Sequence, residues 1–166
     1  MPGERPFLPY GRHFIEDDDI EAVTDVLRGE FLTTGPVVDA FENTLAEVTG
    51  ARHVVSCSSG TAALHLTASA LDLGPGDWAI VPAMTFLATA NAARYVGADV
   101  IFADVDAETG LMTSETFEAA RATAVGSVKA VYPVHINGQT ANMAAIRQVA
   151  GDMPIVEDAC HALGGV

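Results

Sequence analysis

Hydrophobic and polar positions follow one pattern up to about residue 50 of this chain and another after it. In the first part, apolar side chains recur at helical spacing, which predicts helices over 17–28 and 37–48, joined by the turn sequence FLTTGP. After Gly50, short runs rich in β-branched residues alternate with longer helical patterns. The predicted strands are HVVSCS, WAIVPA, DVIFAD, VKAVYPVH and PIVEDA, and the predicted helices between them cover 61–71, 86–95, 114–122 and 140–150.

Strands that alternate with helices predict an α/β fold. Right-handed crossovers between such strands give a mainly parallel sheet with helices on both faces. We expect an N-terminal helical arm at residues 1–35 and a partial α/β domain at residues 36–166. Val166 follows the last predicted strand closely, where an α/β chain ordinarily continues, so we expect the fold to be incomplete.

Composition excludes several classes of partner. The 22 acidic residues outnumber 8 basic ones and give a formal charge of −14, which disfavours nucleic acid. No apolar run reaches the ~18 residues of a membrane span, and the N-terminus lacks the order of a signal peptide. Cys57 and Cys160 lack the spacing of a disulfide framework or a metal site, so we expect reduced thiols, no metal and a cytoplasmic protein.

The loop after the first predicted strand, CSSGTA, contains groups that can hold a phosphate. Ligands of open α/β sheets bind at the strand ends, and a helix N-terminus there presents free N–H groups and a positive dipole. Ser58, Ser59 and Thr61 add hydroxyl donors, and Gly60 allows a close approach of the backbone. An ordinary Ser/Thr helix cap explains the same residues equally well.

Two further loops follow predicted strands and carry complementary chemistry. PAMTF places Phe86 after the second strand, and VEDACHALGG places Asp158 and His161 after the fifth. A phosphate site, an aromatic face and a carboxylate together suit a planar, phosphorylated heteroaromatic cation such as pyridoxal phosphate. Taken singly, these side chains could instead be a core aromatic, a turn cap and a core histidine.

Four segments, in this order, resemble the DegT/StrS-type sugar aminotransferases, which are pyridoxal-phosphate enzymes of fold type I. The segments are SSGTAALHL, VPAMTFLATANAARYVGADVIFADVD, VKAVYPVHINGQTANMAAI and VEDACHALGG. The resemblance extends over nearly the whole chain from about Leu8. It implies that these residues form an incomplete large domain of that fold.

The resemblance implies cofactor-binding roles for individual residues. Ser59, Gly60 and Thr61 match the positions that hold the phosphate. Phe86 matches the aromatic that stacks on the pyridine ring. Asp158 matches the carboxylate that pairs with the pyridinium nitrogen and keeps it protonated.

Other matched positions lie towards the substrate. His161 corresponds to a position, often Gln or His in the family, that reaches the phenolic side of the ring. Thr33 and Thr34 lie where family chains pass close to the substrate and the partner subunit, and His135 lies at a strand end, so all three are candidate sugar contacts. A plain turn explains the two threonines equally well. The family often has an aromatic residue near the position of Asn137, and this departure leaves the substrate open.

Within the family, LPYGRHFIEDDDIEAVTDVLRGEFLTTGP together with EDACHALGG is similar to the aminotransferases of pseudaminic acid synthesis. Those enzymes aminate C4 of a UDP-linked 4-keto-6-deoxy-hexose. The resemblance implies a nucleotide-linked keto sugar as substrate, an amino acid such as glutamate as donor, and a homodimer with sites built from both subunits.

Transamination needs a lysine amine that forms a Schiff base with the cofactor and then carries a proton. Lys129 is the only lysine, and it begins the fourth predicted strand, at the end away from the strand C-termini. We interpret it as a solvated strand-start charge. The family's lysine follows the next strand, so we expect it beyond Val166 and expect these 166 residues to be inactive alone.

Two alternatives stay open. Related pyridoxamine-phosphate-dependent sugar dehydratases carry histidine in place of the lysine. The chain could also be a non-catalytic remnant or a nucleotide-binding module, although it lacks GxGxxG after the first strand and has no GKS or GKT phosphate loop.

Overall fold

The computed structural model describes residue 7 and residues 12–165. Residues 1–6 and 8–11 of the predicted arm and Val166 therefore lie outside the described residues. The chain divides into two compact units, Met1–Val54 and Val55–Val166. Both α-helices that precede residue 54 belong to the first unit. The division into an arm at residues 1–35 and a partial domain at residues 36–166 stays a prediction.

The first unit contains α1 (Asp17–Arg28) and α2 (Pro36–Thr49), close to their predicted bounds. The Asp19 carboxylate accepts the Glu16 N–H at 2.9 Å, and acidic residues fill the first turn of α1, where they favour the helix dipole. Pro36 occupies the first turn of α2, and Gly50 ends that helix with a φ of 70°. Neither helix buries a side chain among the described residues.

The second unit is built on a parallel sheet of β1 (Asp77–Pro82), β2 (Asp99–Ala103) and β3 (Ser127–Val131), in the order β2-β1-β3. Its helices are α3 (Gly60–Ala70), α4 (Leu87–Tyr95), α5 (Ser114–Ala122) and α6 (Met143–Ala150), with a 3₁₀ turn at Ile136–Gly138. The predicted α/β class with a mainly parallel sheet is confirmed. None of the described helices is long and apolar enough to cross a membrane.

Helices cover both faces of the sheet, as the buried runs predict. Ala79 and Val81 of β1 pack in one apolar cluster with α3 and α4, whereas Ile80 packs in a second cluster with α5 and α6. This alternation follows from the two-residue period of a strand. Fully burying a side chain such as Ile80 contributes about 1.5–3 kcal/mol.

The first predicted strand is wrong. Residues 53–58, HVVSCS, form no strand, and the Val55 side chain is 82% exposed. A strand is stable only beside a partner, and the three-stranded ladder leaves this segment without one among the described residues. β-branched composition alone therefore overestimates strand content at this position.

The fourth and fifth predicted strands are shorter than expected. β3 ends at Val131, and PIVEDA forms only two isolated parallel bridges, Val131 with Ile155 and Val134 with Asp158. Pro133 has no N–H to continue a ladder. Its carbonyl nevertheless accepts the Asp158 N–H at 2.8 Å, so residues 155–158 still run beside β3 and bring Asp158 to the C-terminal edge of the sheet.

Candidate functional site

Asp158 is a buried carboxylate at the C-terminal edge of the sheet, with 6% of its surface exposed. Its Oδ2 accepts the hydroxyl of Thr89 at 2.7 Å, and its Oδ1 accepts the Cys160 N–H at a longer 3.4 Å. A buried carboxylate with an incompletely satisfied oxygen can pair with a cationic ring N–H.

Thr89 is itself hydrogen-bonded to a second threonine. Thr89 is fully buried in α4, and its Oγ1 lies 2.7 Å from the Oγ1 of Thr85, which precedes that helix. An ionised carboxylate only accepts hydrogen bonds, so the Thr89 proton goes to Asp158 and the Thr85 hydroxyl donates to Thr89. The result is a directed chain of hydrogen bonds that ends on the carboxylate.

Phe86 is an exposed aromatic at the N-cap of α4, with 74% of its surface accessible. Its carbonyl accepts the N–H of Thr89 at 3.2 Å, so one helical turn links it to the residue that bonds Asp158. Its exposed face offers a large apolar surface on which a planar ring can stack.

The SSGTA loop is both a helix cap and an open set of donors. The Oγ of Ser59 accepts the N–H of Ala62 at 3.2 Å at the start of α3. The N–H groups of Gly60 and Thr61, in the first turn, donate to no other group in the described part of the chain. Ser59 still has a hydroxyl proton to donate, so capping and anion binding are compatible at this terminus.

A direct contact joins this loop to the Asp158 loop. A Cβ added to Gly60 would lie 2.5 Å from the Sγ of Cys160, so glycine is the residue that fits against that thiol in its present rotamer. Burial, followed by the hydrogen bond and the negative charge of Asp158, raises the pKa of Cys160 to about 11. The thiol therefore stays protonated near neutral pH and acts as a packing group between the two loops.

His161 lies three residues beyond Asp158 and is exposed. Its carbonyl oxygen would lie 3.1 Å from a Cβ at Gly138, so the 3₁₀ turn packs closely against the main chain of this loop.

His135 is buried, and both of its ring nitrogens have partners within the chain. The N–H of Ala141 donates to Nδ1 at 3.1 Å, which places the ring proton on Nε2, 2.9 Å from the Glu157 carboxylate. The pairing of Val134 with Asp158 puts His135 on the opposite face of the sheet from Asp158, because neighbouring residues alternate. Its role as a sugar contact remains a prediction.

Thr33 and Thr34 are exposed and belong to the first unit. Thr34 has a φ of 51°, in the left-handed region. Their assignment as sugar contacts also remains a prediction.

Lys129 forms an ion pair at the N-terminal end of the strands, whereas Asp158 lies at their C-terminal end. Its Nζ lies 3.0 Å from the Oδ2 of Asp77, at the start of β1, and donates to the carbonyl of Asp72 at 3.2 Å. Since β1 and β3 are parallel, this end is the one far from Asp158. Lys129 is thus a structural ion pair at the N-terminal edge.

No group of three or more potential metal ligands occurs among the described residues. Asp106, in the acidic loop after β2, accepts hydrogen bonds from the N–H and the hydroxyl of Thr109. These bonds lower the pKa of Asp106.

Sequence reasoning missed Thr85, Thr89 and Glu157. A signal for the threonines was present, because positions 85 and 89 are four residues apart at the start of a helix and therefore share one face. Nothing in the sequence connected Thr89 with Asp158, which lies 69 positions away.

Comparison with known proteins gives consistent matches. A family model described as the DegT/DnrJ/EryC1/StrS aminotransferase family matches residues 13–166. A UDP-4-amino-4-deoxy-L-arabinose–oxoglutarate aminotransferase of Shewanella sediminis is 42% identical over 160 residues, which cover 95% of this chain and 40% of that protein.

Solved structures match as well. NtdA of Bacillus subtilis, with the bound cofactor PMP, superposes with a TM-score of 0.82 at 35% identity over 90% of this chain and 35% of its own. An aminotransferase from Psychrobacter cryohalolentis superposes with a TM-score of 0.83 at 30% identity over 95% of this chain and 40% of its own. The chain thus spans 35–40% of the length of these relatives.

Proposed function

The chain belongs to the DegT/DnrJ/EryC1/StrS aminotransferase family, and we propose that it forms the cofactor-binding part of a pyridoxal-phosphate-dependent sugar aminotransferase. This membership confirms the family resemblance seen in the sequence. The observation that carries the proposal is the buried Asp158 carboxylate, which direct contacts connect to both an exposed aromatic and an open helix N-terminus.

The residues present fit this cofactor. Ser59, Gly60 and Thr61, at the N-terminus of α3, would hold the phosphate, and Phe86 would cover the ring. Asp158 would pair with the pyridine nitrogen, and His161 would lie on the phenolic side. When bound, pyridoxal phosphate supplies an electron-accepting ring that stabilises the charge left on a substrate carbon when its proton departs.

The contribution of the chain is to bind and orient. The dipole and free N–H groups of α3 attract the phosphate dianion, and their positions are set by the cap at Ser59. Asp158 holds the proton on the ring nitrogen, and its burial excludes water that would weaken the ion pair.

The amine that transamination requires does not come from Lys129, which is paired with Asp77 at the far edge of the sheet. We propose that it comes from a lysine outside these 166 residues and that the 166 residues alone do not transaminate. A histidine at that position would instead favour the dehydratase alternative.

For the substrate, we propose a UDP-linked sugar with a ketone at C4, and glutamate as the amino donor. The 42% identity to a protein named for UDP-4-amino-4-deoxy-L-arabinose and oxoglutarate supports the UDP group, the carbon and the donor. The arm sequence and EDACHALGG favour a 4-keto-6-deoxy-hexose of the pseudaminic acid pathway over a pentose.

We further propose a cytoplasmic homodimer. The apolar residues that α1 and α2 expose support an interface between subunits. The two free thiols are consistent with a reducing compartment.

The test is an assay of the complete protein with glutamate and two UDP-linked 4-keto sugars, the 6-deoxy-hexose and the pentose, following 2-oxoglutarate. We expect turnover with the hexose, and loss of turnover in Asp158→Asn but not in Val125→Ala, which changes an exposed residue after α5. Turnover with the pentose alone would overturn the proposed place in the pseudaminic acid pathway. No turnover with either sugar would overturn the proposed sugar aminotransferase function.

A further inference from the structure

Two residues without a role in the proposed site, Thr85 and Thr89, form the hydrogen-bond chain that ends on Asp158. We propose that Thr89, held by Thr85, is a positioning residue that sets which oxygen of Asp158 meets the cofactor and stabilises the negative charge of that carboxylate. The proposal rests on the proposed function, since it concerns the same cofactor.

The main chain of Asp158 is already held by the segment that follows β3. Its N–H donates to the carbonyl of Pro133 at 2.8 Å, and its carbonyl accepts the N–H of His135 at 3.0 Å. The remaining freedom is rotation of the side chain. The hydroxyl of Thr89, at 2.7 Å from Oδ2, is the short contact that fixes this rotation.

The two carboxylate oxygens consequently differ. Oδ2 is occupied by a short bond to a fully buried hydroxyl. Oδ1 has the longer 3.4 Å contact with the Cys160 N–H, and the Cys160 thiol, which also hydrogen-bonds Asp158, is a weak donor, so Oδ1 is the oxygen with capacity left for a strong bond. The structure therefore assigns Oδ1 to the ring nitrogen and Oδ2 to the protein.

Thr85 fixes the direction of this chain. With the Thr85 hydroxyl donating to Thr89, the Thr89 oxygen accepts one hydrogen bond and its own proton remains directed at the carboxylate. Hydrogen bonds that polarise one another in a buried site strengthen the last bond in the series. We therefore expect loss of the Thr85 hydroxyl to have the same effect as loss of the Thr89 hydroxyl, but a smaller one.

The same helical turn positions the aromatic. The Thr89 N–H donates to the Phe86 carbonyl at 3.2 Å while the Thr89 hydroxyl donates to Asp158. The start of α4 thus links Phe86, which we propose stacks on the cofactor ring, to Asp158, which we propose pairs with the ring nitrogen.

The experiment measures binding of pyridoxamine phosphate, labelled with ¹⁵N in the ring, to the complete protein. This probe needs no lysine, and its ring ¹⁵N chemical shift reports whether the nitrogen carries a proton. In Thr89→Val we expect the dissociation constant to rise about 10- to 100-fold, the range for a lost hydrogen bond to a charged group. We also expect the ¹⁵N shift to move towards that of neutral pyridine.

Thr89→Ser keeps the hydroxyl and should restore the dissociation constant and the ¹⁵N shift of the wild type. Thr85→Val should change these two quantities in the same direction as Thr89→Val, but by less. The matched control is Thr67→Val, in which a half-buried helical threonine loses a bond to the carbonyl of Leu64, and it should leave the ¹⁵N shift unchanged.

The outcomes separate the two hypotheses. A wild-type protein that does not bind the probe overturns the proposed function. A wild type that binds, with unchanged affinity and ¹⁵N shift in Thr89→Val, overturns the positioning role alone. If circular dichroism shows that Thr89→Val does not fold, Thr85→Val decides: changed values support the role, and unchanged values overturn it.

Discussion

Gly60 shows how a single residue connects the SSGTA loop, which we propose holds the phosphate, with the loop that carries Asp158. In Gly60→Ala the new methyl group would lie 2.5 Å from the Sγ of Cys160, so either the Cys160 side chain must change its rotamer or one of the two loops must move. We expect a loss of roughly 1–3 kcal/mol in the free energy of unfolding, as in other overpacked sites. Urea denaturation gives the stability, and titration with pyridoxamine phosphate should show weaker binding.

The matched control is Gly74→Ala, because a Cβ at Gly74 meets nothing within 4 Å and its φ is not positive. The double variant Gly60→Ala with Cys160→Ala removes the sulfur and leaves a Cβ at an ordinary 3.9 Å. It should recover most of the lost stability. A Gly60→Ala protein as stable as the Gly74→Ala protein would contradict the contact.

Cys160 carries a pH prediction. Because burial and then Asp158 raise its pKa to about 11, the reactive thiolate is scarce at pH 8 and increases about tenfold for each pH unit up to that value. We expect iodoacetamide labelling of Cys160, followed by mass spectrometry, to accelerate accordingly.

Asp158→Asn tests the cause of this shift. Removing the negative charge should lower the pKa of Cys160 and speed its labelling at pH 8, while labelling of Cys57 serves as the internal reference. An equal Cys160 rate in both proteins would mean that burial alone sets its reactivity.

At the scale of elements, two helices have the same kind of cap but different expected roles. Ser59 caps α3 by accepting the Ala62 N–H at 3.2 Å, and Asn142 caps α6 by accepting the Ala145 N–H at 3.1 Å. Ser59→Ala and Asn142→Ala should each cost about 1 kcal/mol of stability in urea denaturation.

Only Ser59→Ala should also weaken binding of pyridoxamine phosphate, because α3 alone is proposed to hold the phosphate. Equal affinities in the two variants, at equal loss of stability, would show that Ser59 is only a helix cap.

For the whole molecule, charge and exposed apolar surface act in opposite directions. The formal charge of −14 disfavours self-association, whereas α1 exposes Ile20, Val23 and Leu27 at helical spacing. If this stripe lies in the proposed homodimer interface, Val23→Asp with Leu27→Asp should shift the complete protein from dimer to monomer in sedimentation velocity. The physical reason is that the proposed dimer would bury this apolar stripe, and burying two unpaired carboxylates there is unfavourable.

The control for this change is Val125→Asp, at an exposed position in the second unit. It should leave the sedimentation coefficient unchanged. A double variant that remains dimeric, or a monomeric wild type, would contradict the proposed interface.

The sequence alone determined the class of fold, the helices and the family. These features depend on local periodicity and on ordered motifs, which a chain carries with it: α1 and α5 have their predicted bounds, and Phe86 lies, as predicted, between a strand and a helix, β1 and α4.

The tertiary structure decided what depends on partners distant in the chain. HVVSCS has the composition of a strand but no strand to pair with among the described residues. PIVEDA is limited to two bridges, because β3 ends at Val131 and Pro133 follows it. Three contacts likewise join residues that only the folded sheet brings together. They are the bond from Thr89 to Asp158, the contact of Cys160 with Gly60 and the hydrogen bonds of His135 with Ala141 and Glu157. Periodicity reports which face a side chain occupies, whereas pairing and hydrogen bonding depend on what the fold places opposite it.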